Sequence, residues 1–104
     1  MTKKEIQEQE NAEVAFIYGC IERNIRNFGM SDLGRLRSCN ATVHKTYGFT
    51  LLKSYNTIVA AIDDFGVAYD FLRLVYGYTA TSAQHISKFF NDHNVQTKWV
   101  WREL

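Results

Sequence analysis

Side chains able to do chemistry are few in this chain, and they are scattered. A metal site needs several His, Cys or carboxylate ligands converging on one point. The three histidines, His44, His85 and His93, instead fall on an expected strand, an expected helix and the end of that helix. His85 and His93 stand about two helical turns apart, too far to share an ion on a straight helix. The cysteines, Cys20 and Cys39, are too few for a disulfide framework and both read as thiols, Cys20 as a small hydrophobe beside the apolar stripe of a helix. Nucleophilic catalysis needs a serine or cysteine beside a base, and neither a G-x-S-x-G nor a Cys–His signature is present. The turn ahead of the second long helix reads YGYTATS, with Gly77 alone where a phosphate cradle would be glycine-rich. The helix start at Thr81 has N–H groups that suit an anion, although self-capping accounts for it more simply. No catalytic residue, metal ligand or cofactor site is assigned, and no enzymatic activity is expected.

What remains is charge and aromatic surface. The formal net charge is +1, but its distribution is uneven. Residues 1–22 set Lys3 and Lys4 against five glutamates, while residues 23–53 set Arg23, Arg26, Arg35, Arg37, Lys45 and Lys53 against Asp32 alone. Residues 54–104 are close to balanced. The basic middle is the one feature suited to nucleic acid, with Tyr47 or Phe49 placed to stack bases beside it. A solvated basic face is the plainer reading, since a pI of about 7.8 falls short of a dedicated binder. Seven Phe, six Tyr and two Trp give an aromatic content suited to interfaces. Tyr55, Tyr69, Tyr76, Tyr78, Trp99 and Trp101 are the candidate partner-binding rings, each weighed against a place in the core.

The elements that carry these residues are legible from periodicity. At 104 residues the chain fits one α+β domain over 1–104, and 46% hydrophobic against 22% charged residues excludes a disordered chain. Thr2 with Glu5 matches a capping box, and Val14, Ile17, Tyr18, Ile21, Ile25 and Phe28 recur at helical spacing, which predicts a long helix over 3–28 ended by Gly29. Residues 30–40 read as a connector with one helical turn at most. Strand-like runs follow at 41–47 and from Phe49, joined as a hairpin, then at 55–62 and 67–76 across the turn Asp63–Gly66. The last two are expected to form the middle of the sheet. The 55–62 run is apolar on both faces, so a helix should cover one side and something else the other, with a symmetric homodimer as the simplest cover. Thr81 with Gln84 predicts a second helix over 82–92, and Val95 to Trp101 alternates as a last strand. The expected architecture is a long N-terminal helix and a second helix packed on an antiparallel sheet of four to five strands. No apolar run approaches the roughly 18 residues that cross a bilayer, and the polar start MTKKEIQEQENAE is unlike a signal peptide, so no membrane association and a cytoplasmic location are expected.

Residues 51–63, LLKSYNTIVAAID, and 76–90, YGYTATSAQHISKFF, carry a resemblance. Ser54, Tyr55, Thr57, Val59 and Ala60, followed by Tyr78, Ala80, Thr81, Ser82, His85 and Ile86, resemble the pattern S-Y-x-T-x-V-A then Y-x-A-T-T/S-x-x-H-I of small accessory proteins of Gram-positive phages and conjugative elements. Some small proteins from that setting inhibit the type II CRISPR nuclease of the host, Cas9. The resemblance implies a non-enzymatic protein that binds and inhibits a host defence protein in the host cytoplasm, either Cas9 itself or its assembly with guide RNA. A net charge of +1 disfavours wholesale mimicry of DNA. The alternative is a nucleic-acid-binding accessory module that uses the basic 23–53 segment.

Overall fold

Thr2 starts the first helix, α1 (Lys3–Phe28), by accepting from the Glu5 N–H at 3.1 Å, while the Glu5 carboxylate accepts from the Thr2 N–H at 3.3 Å. Two of the helix's free donors are satisfied by this exchange. Gly29 ends α1 at φ +78°, ψ −175°, a conformation open to glycine alone, and its N–H closes on the Ile25 carbonyl at 2.8 Å. The expected range and the expected start are both found. The structure, a computed structural model, describes residues 1–36 and 40–104. Arg37 and Cys39 lie outside the described residues.

Eight further elements follow in the described residues: β1 (Ser31–Arg35), β2 (Ala41–Thr46), β3 (Phe49–Ser54), β4 (Thr57–Asp63), β5 (Val67–Asp70), α2 (Leu72–Val75), α3 (Ala80–Asn91) and β6 (Thr97–Val100). The strands form one sheet in the order β1-β2-β3-β4-β5-β6. Neighbours are antiparallel except β5 and β6, which run parallel because α2 and α3 carry the chain back between them.

The α+β class with its long N-terminal helix stands, but the sheet is mixed and has six strands where four or five antiparallel ones were expected. The sixth is β1, in the stretch read as a connector. Its five residues are all exposed and show no alternation, so only pairing with β2 marks it as a strand. The run expected to begin at Tyr55 begins at Thr57, because Tyr55 and Asn56 form a turn with φ of +53° and +79°. The run 67–76 stops at Asp70, whose carboxylate accepts from the Leu72 N–H at 3.0 Å and opens α2. Burial pushes the Asp70 carboxyl above its usual range, against that hydrogen bond and nearby cations. The middle pair is therefore β3–β4. Helix α3 starts two residues early, capped by Thr79, whose hydroxyl accepts from the Ser82 N–H at 3.2 Å.

Both faces of the sheet are covered by helices of the same chain. Val14 and Ile21 of α1 pack on Leu51, Ala61, Tyr69 and Phe71, with Trp99 and Trp101 against that cluster. Ile86 and Phe89 of α3 and Leu72 of α2 pack on Leu52, Val59, Ala60, Ile62 and Ala68 on the other face. The second cover expected from another copy is α3 itself. Burial of each large core side chain contributes about 1.5–3 kcal/mol, which is what fixes the two helices to opposite faces. No helix among the described residues is long and apolar enough to cross a membrane.

The end of the sheet's last strand and the tail that follows it are tied to side chains of α1. Asn11 donates to the Arg102 carbonyl and accepts from the Arg102 N–H at 2.9 Å, and Gln7 donates to the Val100 carbonyl at 3.3 Å. A buried carboxamide thus satisfies both backbone groups of Arg102, two residues beyond β6. Asn11→Ala strips both bonds from the Arg102 backbone and should cost about 1–3 kcal/mol in urea unfolding. Faster exchange of the Arg102 amide should accompany it, and unchanged exchange would show that the tail is held elsewhere.

Candidate functional site

The turn between β3 and β4 is two residues long, and a tip of this kind takes a left-handed conformation at both positions. Asn–Gly is the usual choice. Here Tyr55 and Asn56 occupy them at φ +53° and +79°, and a bulky aromatic residue held there costs about 1 kcal/mol or more. The strain is kept because the turn is fastened from behind. Ser54, the last residue of β3, is 3.1 Å from the Ser82 hydroxyl and 3.1 Å from His85 Nδ1, both on α3. All three side chains are buried. The Tyr55 ring then stands beside the His85 ring, tilted 40° to it with centroids 6.1 Å apart, while remaining half exposed.

A serine beside a histidine invites comparison with a nucleophile and its base, but Ser54 is 0% exposed and no substrate reaches it. The cluster is a pin that joins strand to helix. With a neutral imidazole, either proton arrangement satisfies all three polar atoms. Burial, aided by Lys88, pushes the His85 pKa down from its ordinary value.

On the other side of the same tip, Asn56 lines a groove of about 490 Å³ between α1 and the sheet, together with apolar Tyr18, Ile25, Met30 and Ile58 and charged Arg26, Lys53 and Glu22. Arg35 stands in the same cross-strand row as Lys53, through Thr42. Beyond the sheet, Phe71 N–H bonds the Val59 carbonyl and α3 begins beside Ser54, so the segment 72–79 lies at this end too. It carries exposed Tyr76 and Tyr78, with the Arg73 guanidinium 4.6 Å from the Tyr78 ring centre. One end of the molecule thus holds the strained tip, three exposed tyrosines and a partly basic groove.

The structure divides the residues singled out from sequence. Tyr55, Tyr76 and Tyr78 are brought to one end, and Arg26 and Lys53 to its groove. Arg23 lies on the outer face of α1, exposed, its guanidinium 3.4 Å from Cys20 Sγ. Lys45 is at the opposite end of the sheet, paired with Asp64 at 2.9 Å. Tyr69 is buried with its ring parallel to Phe71, which takes it off the surface. It belongs to the row Asp32, His44, Leu51, Ala61, Tyr69 and Trp99 that crosses all six strands. Trp99 and Trp101 are half-buried against the α1 core. Among the described residues, no group of three His, Cys, Asp or Glu side chains is placed to hold a metal ion.

Sequence reasoning missed Asn56 and Arg73, and it took Ser54, Ser82 and His85 as pattern residues without joining them. The signal for the tip was available in Ser-Tyr-Asn-Thr, a polar break between two apolar runs with asparagine at a turn position. The matched stretch begins in the last turns of α1 and spans the whole sheet, residues 24–102. The chain belongs to a family of unknown function, DUF8033. No curated protein and no solved structure matches it.

Two outcomes follow for this end. Replacing the tip by Asn–Gly (Tyr55→Asn with Asn56→Gly) should stabilise the fold by about 1 kcal/mol in thermal unfolding, as the strain is released. An unchanged or lower Tm would mean that the Tyr55 ring contributes more than its backbone costs. The His85 pKa is depressed in the fold, so its stabilising contribution is full above the unfolded value of 6.5 and is lost as pH falls below it. His44 acts in the same direction, lowered mainly by burial, while Asp70 acts oppositely from about 3.8 upward. Comparing His85→Gln with the parent from pH 8 to 5 isolates the ring: the gap between their unfolding midpoints should narrow on acidification, and a constant gap would contradict this.

Proposed function

We propose that this protein is a non-enzymatic binding module that docks on another protein through its Tyr55 end. The observation that carries the proposal is the half-exposed Tyr55 ring, held in a strained backbone by a buried three-residue pin. A strained exposed aromatic on a rigid support is how a surface keeps a contact residue ready without ordering cost at binding. Arg26, Lys53 and Arg73 around it favour a partner patch that carries carboxylates. A protein partner is supported over a phosphate backbone because the cations do not share one track: Lys45 lies at the far end beside Asp64, and Glu22 lines the groove with Arg26.

For the partner we propose, from the resemblance at residues 51–63 and 76–90, the type II-A CRISPR nuclease Cas9, bound so as to inhibit it in the host cell. Both stretches of that pattern converge on this end, through Ser54 and Tyr55 from one and Ser82 and His85 from the other. Calorimetric titration of a purified type II-A nuclease, with and without guide RNA, tests the assignment. The parent should bind and block cleavage, while the Asn–Gly tip variant, although folded, should bind about tenfold or more weakly. Absence of binding to either nuclease form would overturn Cas9 as the partner. Tight binding to guide RNA alone, weakening steeply with salt, would replace the protein reading by the nucleic-acid one.

A further inference from the structure

The opposite end of the sheet holds a second arrangement that the Tyr55 end does not use. The turns at Tyr47–Gly48 and Asp63–Gly66 lie side by side there and line a groove of about 620 Å³ with Tyr47, Phe49, Phe65, Asp63, Asp64 and Lys45. Phe65 is 86% exposed and Tyr47 69%. Phe28, at the end of α1, packs on the Tyr47 ring with centroids 5.0 Å apart, and Asn24 of α1 donates to the Tyr47 carbonyl at 3.0 Å. Asp63 is fixed by accepting from the Phe65 and Val67 N–H groups, each at 2.9 Å, which sets the turn that presents Phe65. Both rings are therefore mounted on ordered turns and largely exposed, Tyr47 with Phe28 against it.

We propose that this groove recognises a cationic side chain, an arginine or lysine, presented by a partner protein. Ring faces attract cations through their quadrupoles, and two carboxylates against one ammonium leave the lining net negative. Lys45 Nζ pairs with Asp64 at 2.9 Å in the lining of the same groove, so this carboxylate is placed where a cation reaches it. That pair is exposed, so its mutual attraction is weak, and an incoming guanidinium competes for Asp64 with a planar fork of two parallel N–H donors that matches both carboxylate oxygens, a geometry an ammonium does not offer. The volume suits a long side chain with part of the backbone that carries it. The site is independent of the Tyr55 end and does not rest on the proposal made for it.

The test is titration of the labelled protein with N-acetyl-arginine methylamide, followed by the NMR signals of the Tyr47 and Phe65 rings and the Asp64 amide. Saturable shifts at these signals, absent with the neutral N-acetyl-norleucine methylamide, are expected. Lys45→Met should tighten binding about threefold by freeing Asp64, and Asp64→Asn should weaken it about fivefold. Both substitutions are at exposed or half-exposed positions, and dispersed amide spectra will show that the variants are folded. Equal shifts with the neutral analogue, no saturable shift with the arginine probe, or weaker binding by the Lys45→Met variant would each overturn the proposal.

Discussion

The fold depends on a central hairpin that is apolar on both faces. Leu51 and Ala61 point to one side of the β3–β4 pair and Leu52, Ala60 and Ile62 to the other, all of them buried. A sheet of this kind has to be covered twice. The chain does so with the first helix laid under one face and the third returned over the opposite face by the crossover to β6, and that return is what makes β6 parallel to β5. The Ser54–Ser82–His85 cluster lies where the hairpin meets the returning helix. It contributes little net energy compared with the apolar contacts around it, but its buried polar atoms have partners only in one alignment of helix on strand.

That alignment is what gives the hairpin tip its consequence. A turn with Tyr–Asn in left-handed conformations is poor on local preference alone. Its persistence requires surrounding structure that outweighs the strain, and the pin immediately behind Tyr55 with the His85 ring beside it provides that structure. The tip straddles the sheet: Tyr55 leans over α3, and Asn56 borders the groove along α1. The far end is built differently, with largely exposed rings on two adjoining turns and an exposed ion pair. The molecule therefore presents two chemically distinct ends on one rigid sheet, one leaning basic and tyrosine-rich, the other acidic and phenylalanine-rich.

How much of this was legible in the residues depends on whether a local signal existed. Helix α1 was, from Thr2 to Gly29, because capping box, apolar stripe and terminal glycine all agree. The β2–β3 hairpin and the turn at Asp63–Gly66 were legible for the same reason. Strand β1 was not, since Ser31–Arg35 lacks alternation and owes its strand to pairing with β2, a long-range fact. The break after Asp70 was hidden because Leu72, Leu74 and Val75 prolong an apolar run whose change to helix is marked only by the Asp70 carboxylate turning back on the Leu72 N–H. For the candidate site, the rings and cations were recognised but their partition was not: nothing local separates Tyr69 in the core from Tyr55 on the tip. Ser54 and His85 are 31 positions apart, and only the fold brings them together.

The most direct measurement of the central claim is hydrogen exchange on this protein with and without the type II-A nuclease, read residue by residue. Docking through the Tyr55 end should slow exchange in residues 53–58 and 73–79 and leave the β1 edge unaffected. Unaltered exchange across the hairpin tip in a formed complex, with protection confined to β1 or to the outer face of α1, would contradict it.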